Sequence, residues 1–246
     1  MLDEANSNYN GPSTKLTQRF SRGVMYMVSC TWSKAIDTGS AARTSSGDTT
    51  TQDQYHRASN RGLSAYNVGR RLAASVLYDL PVGSGKAFLN HGGIVNAIIG
   101  GWQLGRMVTL ADGSPTGPSS IPWSGGDNFS NNVDATGTSP IPANRSMYQS
   151  YNAQAFNWTD PGLQYRRGNI ARNVLIGPGT ESWDFSTAKS FRIMEGHALQ
   201  FRFEGFNIAN QPNWNLPNSD LRSPLFGLIQ TAKTMRQLQF ALKYSF

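Results

Sequence analysis

Two short segments carry side chains of the kinds that enzymes use for catalysis or for phosphate binding. Ser186-Thr-Ala-Lys189 has the Ser-x-x-Lys spacing of a serine nucleophile with a lysine base. Gly83-Ser-Gly-Lys86 has part of a phosphate-binding loop, but the glycine that opens such a loop is absent, so we expect a turn. Ser186 and Lys189 lie in an alternating apolar and polar stretch, which predicts opposite faces of one strand. The lysine therefore cannot activate the hydroxyl.

The histidines and the cysteine also predict no catalytic or metal site. His56, His91 and His197 are far apart in the sequence. Cys30 is the single cysteine, so neither an intramolecular disulfide nor a cysteine metal cluster is possible. We expect a protein that is not an enzyme and that needs no cofactor.

The composition favours a β protein with long polar loops. Of 246 residues, 25 are glycine, 11% are aromatic and only 15% are charged, whereas soluble domains average about 25% charged residues. The longest nearly apolar stretch, 94–102, is far shorter than the ~18 residues of a transmembrane helix. The net charge is +7, but the basic residues form no patch, so nucleic acid is not an expected partner.

Seven segments alternate between apolar and polar residues, which predicts seven antiparallel β-strands. We expect strands of about 10 to 14 residues, compared with ~5–6 in soluble proteins and ~9–11 for a tilted strand that crosses a membrane. The segments are about 14–20, 24–32, 71–80, 102–110, 183–193, 199–204 and 238–246.

The two faces of these strands fit an outer-membrane β-barrel, in which the apolar face meets lipid and the polar face lines the interior. Two charged residues, Arg106 and Lys189, fall on the apolar face. Lys189 is close to a strand end, so we expect its side chain to reach the membrane interface.

The connections alternate in length, as they do in bacterial outer-membrane barrels. Residues 21–23 and 195–197 are tight turns, whereas three connections are long and rich in Gly, Asn, Ser and Pro. We expect these long connections to be extracellular loops, at about 37–65, 113–180 and 210–234. The segment 81–101 is on the opposite, periplasmic side, and we expect its Ile94–Ile99 stretch to be a short helix on the barrel rim.

Several segments resemble TonB-dependent outer-membrane receptors. Residues 198–213, with a Phe-Asn-x-x-Asn motif, resemble the penultimate strand of these receptors, and 239–246 resembles the last. The motif residues are Phe206, Asn207 and Asn210. The segments similar to the Oar-like subgroup, which has a carboxypeptidase-regulatory-like N-terminal domain, are 28–37, 78–86 and 100–104.

The resemblance implies an energy-coupled importer with a barrel of about 22 strands around a plug. Residues 1–246 supply about seven strands and no plug, so we expect the C-terminal part of such a barrel, incomplete and unable to transport alone. The expected partners are outer-membrane lipid, the barrel-assembly machinery, and the plug and other strands of the same receptor. We expect contact with the TonB complex only through the plug and the other N-terminal parts of such a receptor.

Two groups of residues are candidate sites. The apolar residues of the last strand resemble the signal that the assembly machinery recognises, and they are Leu238, Phe240, Leu242, Tyr244 and Phe246. The loop aromatics could stack on a ligand or pack on their own loops, and they are Trp123, Trp158 and Trp214.

Two other classes of protein share parts of this pattern. A passive porin or an autotransporter-type barrel has the same strands and C-terminal aromatic residue. A soluble β-sandwich adhesin or lectin would require the apolar faces of the strands to pack on each other.

Overall fold

The computed structural model describes residues 6–40, 57–90, 93–119, 133–164, 166 and 168–246. Its main element is one antiparallel sheet of seven strands, whose spatial order follows the order of the chain. The seven strands are β1 Ser13–Ser21, β2 Val24–Trp32, β3 Arg70–Asp79, β4 Trp102–Ala111, β5 Thr180–Met194, β6 His197–Phe206 and β7 Gln237–Ser245.

This sheet confirms the predicted all-β fold class and the seven predicted strands. The strands have 9 to 15 residues, a slightly wider range than the about 10 to 14 that the alternation predicts, and all are long enough to cross a membrane when tilted. Strands β1 and β7 form the two edges of the sheet and do not pair with each other, so the barrel is not closed in the described residues.

The pairing register separates an apolar face from a polar face, because residues directly opposite each other point to the same side of a sheet. The apolar face is defined by the row Phe240, Phe203, Thr187, Leu104 and Tyr78. The polar face is defined by the next row, Gln239, Glu204, Ser186, Gly105 and Leu77.

Short turns and one longer connection lie at one end of the sheet, which we call the turn end. Arg22 and Gly23 join β1 to β2 and have φ angles of 51° and 81°. Positive φ at both central residues is the type I′ geometry that suits the twist of a two-residue hairpin. Residues 195–196 join β5 to β6, and residues 80–101 join β3 to β4.

The segment 80–101 contains the helix that the sequence predicts, α1 Ile94–Ile99. No helix in the described ranges has the length and apolar character needed to cross a membrane. The other helical elements are 3-10 turns at Arg57–Asn60, Ala153–Ala155 and Pro161–Gln164.

The three long connections, 33–69, 112–179 and 207–236, all leave the opposite end of the sheet, which we call the loop end. They carry short strand pairs of their own. Ser7–Asn10 pairs with Lys34–Asp37, which pairs with Gly62–Leu63; Pro115–Thr116 pairs with Leu175–Ile176, and Asp134–Ala135 with Phe156–Asn157.

The buried apolar core lies in these connections and not in the seven-stranded sheet. Every hydrophobic residue described as buried falls between Val133 and Ile229 outside the long strands. The apolar face of the sheet is largely exposed instead; Leu16, Phe240 and Leu242 are 57%, 70% and 67% exposed. An apolar face without a covering layer needs an apolar surrounding.

Candidate functional site

The long connections pack into one body, which we call the loop unit: the described residues of 33–69, 112–179 and 207–236. A hydrophobic cluster forms its centre, with half-buried side chains around it. The buried members of the cluster are Val133, Tyr151, Ala155, Phe156, Ile170, Leu175 and Leu221. Because these residues come from two connections, the loop unit has its own core instead of resting on the sheet.

A buried ion pair joins the first connection to the second. The guanidinium of Arg172 pairs with the carboxylate of Asp37, and both side chains are less than a tenth exposed. Arg172 also donates to Ser40 Oγ at 3.2 Å and to the Asp37 carbonyl at 3.1 Å. The neighbouring Asn173 donates from Nδ2 to the Leu63 carbonyl at 2.7 Å. Charges buried in this way stabilise a structure only while both partners remain in place.

Backbone hydrogen bonds and aromatic contacts join the second connection to the third. The amide of Ser150 donates to the Gly227 carbonyl at 2.8 Å, and the Tyr151 and Phe226 ring centroids are 6.0 Å apart. A Cβ at Gly227 would lie 3.0 Å from the Tyr151 backbone, and φ there is +79°. Only glycine suits this close approach. Burial raises the pKa of Tyr151 to about 12.

A second charged cluster fastens the surface of the loop unit. Arg166 donates from Nη1 to Asp134 Oδ1 at 3.0 Å and from Nη2 to Asp160 Oδ2 at 2.6 Å. The hydrogen bond from Arg166 lowers the pKa of Asp134, and a backbone hydrogen bond from Asn169 acts in the same direction. The hydrogen bonds with Asp134 and Asp160 raise the pKa of Arg166.

A cavity of about 650 Å³ lies where the loop unit meets the loop end of the sheet. The register places the side chains of Leu72 and Leu110 on the apolar face, and residues 211–214 of the third connection form another wall. Arg70 and Asp112 make a two-pronged ion pair among the lining residues, with Nε and Oδ2 3.0 Å apart. The lining is mainly apolar, so the cavity suits an apolar or aromatic group.

A protein-family model described as an outer membrane beta barrel domain matches residues 1–239. The chain belongs to this family. The barrel is therefore located in the outer membrane, and lipid is the apolar surrounding that its exposed apolar face requires. No curated protein and no solved structure matches the chain.

The loop tryptophans of the barrel lie in different places. Trp158 is half-buried against the core of the loop unit, whereas Trp214 lines the cavity at the loop end. Trp123 lies outside the described residues. Ligand contact by these side chains stays a prediction, and Trp214 is the member that borders an open space.

The Phe-Asn-x-x-Asn motif of the barrel closes the end of β6. Asn207 and Asn210 have φ angles of 48° and 53°, in the left-handed region where asparagine is tolerated better than most residues. The Asn207 side chain donates to the Gln211 carbonyl at 2.8 Å and accepts from its amide at 3.0 Å. Phe206 is 42% exposed on the polar face. The left-handed backbone at both positions, and the side-chain hydrogen bonds of Asn207, explain why asparagine suits this motif, which its spacing alone does not.

Every residue of strand β7 is exposed. Four of the five predicted signal residues lie within β7 on the apolar face, and Phe246 follows the strand with 91% exposure. Tyr244 Oη lies 2.6 Å from Nδ1 of His197 on β6, and the two rings are stacked. An accessible edge is what an assembly factor needs, and its recognition stays a prediction.

In one enzyme-like motif the two key side chains lie on opposite faces of the sheet, and in the other the backbone amides are already hydrogen-bonded. Ser186 is on the polar face, whereas Lys189 is on the apolar face. The backbone amides of Ser84 and Gly85 donate to the side-chain oxygens of Asn96 and Asn90, both at 2.7 Å, so the segment is a turn. Within the described residues, no three His, Cys, Asp or Glu side chains are grouped as metal ligands. His56 and His91 lie outside those residues.

Lys189 differs from its sequence-based expectation. Its side chain does not reach solvent at the membrane interface, because only 3% of the residue is exposed. Its Nζ donates to the carbonyls of Ile98 at 3.0 Å and Gly100 at 2.5 Å. Ile98 in helix α1 and Gly100 just after it, both far from Lys189 in the sequence, are partners that the alternating pattern could not show.

Proposed function

We propose that this barrel is the C-terminal part of a TonB-dependent outer-membrane receptor of the Oar-like subgroup. The rest of the receptor supplies further strands, a plug and a carboxypeptidase-regulatory-like domain. In this role the loop unit captures a scarce ligand outside the cell. The TonB complex then acts on the plug from the periplasmic side and opens the path into the periplasm.

The observation that carries the proposal is the loop unit at one end of an unclosed sheet. Three connections are held together by a shared core, a buried Arg172–Asp37 pair and backbone hydrogen bonds. Ordering such long segments costs roughly 1–2 kcal/mol of backbone entropy per residue. A fixed loop surface favours selective recognition, because a binding site must be held in its productive geometry.

The edges of the sheet support the idea of further strands from the same receptor. Strands β1 and β7 both present unpaired backbone groups among the described residues. Such groups cannot remain unsatisfied in lipid, where water is absent. We therefore propose that the remaining strands pair with β1 and β7, and that the assembly machinery receives the last strand through Leu238 to Phe246.

The decisive experiment measures ion conductance. The gene product is extracted from the outer membrane and reconstituted in planar lipid bilayers, while its open reading frame is determined upstream of Met1. A plugged receptor gives no steady conductance, and its reading frame encodes a plug. Stable open-channel steps from a product without a plug would establish a passive porin instead.

A carbonate wash tests the second alternative. An embedded barrel stays with the membrane until detergent is added, because its apolar face contacts lipid. Release by carbonate alone would support a soluble β-sandwich adhesin or lectin. The apolar face of the seven-stranded sheet is largely exposed in the described residues, which favours retention.

A further inference from the structure

We propose that the segment around α1 is an interfacial anchor that inserts into the phospholipid leaflet at the turn end of the sheet. We call its apolar residues the rim patch: Phe88, Leu89, Ile94, Val95, Ile98 and Ile99. This inference requires the outer-membrane location of the barrel but is independent of ligand uptake.

The rim patch is exposed although all its members are apolar. Ile94 and Ile98 are 80% and 64% exposed, and Phe88 is 63% exposed. No residue of α1 is buried. The only polar residue of the helix, Asn96, uses its side chain internally, accepting from the Ser84 amide at 2.7 Å. Exposed apolar groups at this density mark a surface that is covered in the working protein.

Helix α1 is fastened to the lipid-facing side of the sheet. Lys189 and Trp102 belong to the apolar-face row that also contains Leu242 and Phe201. Both side chains hydrogen-bond the end of the helix, because Lys189 Nζ and Trp102 Nε1 donate to the Ile98 carbonyl at 3.0 Å and 2.9 Å. The C-terminal end of α1 is therefore next to the side chains that contact lipid.

The same contacts explain how a lysine is tolerated on the lipid-facing side. Its ammonium group bonds carbonyls at the C-terminal end of a helix, where a positive charge is favourable. It also lies 5.5 Å from the Trp102 ring centroid and 5.0 Å from that of Phe191. The charge is thereby shielded from lipid, and it positions the helix.

Phospholipid is the occupant that these observations favour. The rim patch is continuous with a face whose contact with lipid follows from the family, and it lies at a strand end, where the bilayer interface is located. Aliphatic side chains without charge suit the boundary between headgroups and acyl chains. A second copy of the chain or an assembly factor would cover the patch as well, and the experiment below separates these cases.

The test uses site-specific fluorescence in the whole protein, reconstituted in phospholipid vesicles. Cys30 is replaced by serine to remove the native thiol, and Ile98→Cys is labelled with an environment-sensitive fluorophore. Ser84→Cys, exposed in the same connection but outside the rim patch, is the matched control. Spin-labelled phospholipid is then compared with iodide as a quencher.

We expect spin-labelled phospholipid to quench the Ile98 label at least several-fold more strongly than the Ser84 label, and iodide to show the reverse order. Replacing Lys189 by methionine should lower the lipid quenching at Ile98, because the helix loses its tie to the sheet. Iodide quenching that is at least as strong at Ile98 as at Ser84, or energy transfer between labels on two copies at low protein density, would overturn the proposal. The quenching measurement does not depend on conductance. Failure of the lipid-anchor proposal is therefore distinguishable from failure of the proposed receptor function.

Discussion

The guanidinium carbon of Arg106 lies 4.7 Å from the centroid of the Trp183 ring, on the lipid-facing side of the sheet. Arg106 is in the middle of β4, and Trp183 is in the neighbouring strand β5. An arginine on this face near the bilayer midplane costs about 2–4 kcal/mol. Stacking of a cation on a tryptophan ring returns about 0.5–2 kcal/mol, so the ring offsets part of the cost.

Replacing Arg106 by leucine is therefore expected to stabilise the barrel by up to about 3 kcal/mol. Urea unfolding of the protein in lipid vesicles measures the change. Arg202→Leu is the control, because Arg202 is on the polar face and bonds Gln200 at 3.3 Å. No gain, or a loss, from that control would agree with the assignment of faces. Destabilisation by Arg106→Leu would contradict it.

The alternation of residues was sufficient to predict the seven strands, the two faces and the position of Arg106. The loop unit was not predictable in this way, because its contacts have no period. Asp37 and Arg172 are 135 positions apart, and nothing near either residue indicates the other. Lys189 was placed on the correct face, but its partners on α1 depend on tertiary contact.

The Arg172–Asp37 pair is expected to hold the loop unit together. Asp37→Ala leaves a buried guanidinium without its counter-charge, which costs about 3–5 kcal/mol in comparable sites. Protease added to intact cells measures the result, since a loosened loop unit is cleaved faster if it is extracellular. Asp112→Ala is the matched control, because the Arg70 side chain is 75% exposed and exposed pairs contribute about 0–1 kcal/mol. Equal cleavage rates for the two variants would count against the role of the buried pair.

Tyr151 is expected to stabilise the loop unit through its ring and not through its hydroxyl. The residue is 1% exposed, and its buried hydroxyl has no hydrogen-bond partner in the described structure. Tyr151→Phe should therefore leave stability unchanged or raise it by up to about 1–2 kcal/mol, whereas Tyr151→Ala should lower it by about 3–5 kcal/mol. The same cell-surface proteolysis ranks the variants, and faster cleavage of Tyr151→Phe than of the native protein would refute the expectation.

Asn207 is expected to tolerate substitution less well than Asn210. Asn207→Ala loses two hydrogen bonds to Gln211 and forces alanine into a left-handed conformation, a combined loss of roughly 2–4 kcal/mol. Asn207→Gly removes the backbone strain but does not restore the two hydrogen bonds. Its stability should therefore lie between that of Asn207→Ala and that of the native protein. Asn210→Gly serves as the control with little change, since glycine adopts its φ of 53° freely. Urea unfolding gives the order, and a neutral Asn207→Ala would show that the turn does not limit stability.

Acid is expected to loosen the loop unit through Asp134. The Arg166 hydrogen bond holds the pKa of Asp134 below its ordinary value of 3.8. A lowered pKa in the folded state gives stabilisation that is complete above the unfolded pKa and is lost as the pH falls through the folded one. The signal from the loop unit, followed by near-UV circular dichroism, should stay constant from about pH 7 to pH 5 and change below about pH 4.

Asp134→Asn separates this carboxylate from other acidic groups. The pKa of Asp220 is lowered in the same direction by its hydrogen bond with Arg222, so the native acid transition contains both contributions. The asparagine variant cannot titrate at position 134 and should be less stable at neutral pH, with a smaller loss on acidification. An acid transition of the same size in Asp134→Asn and in the native protein would remove Asp134 as its cause.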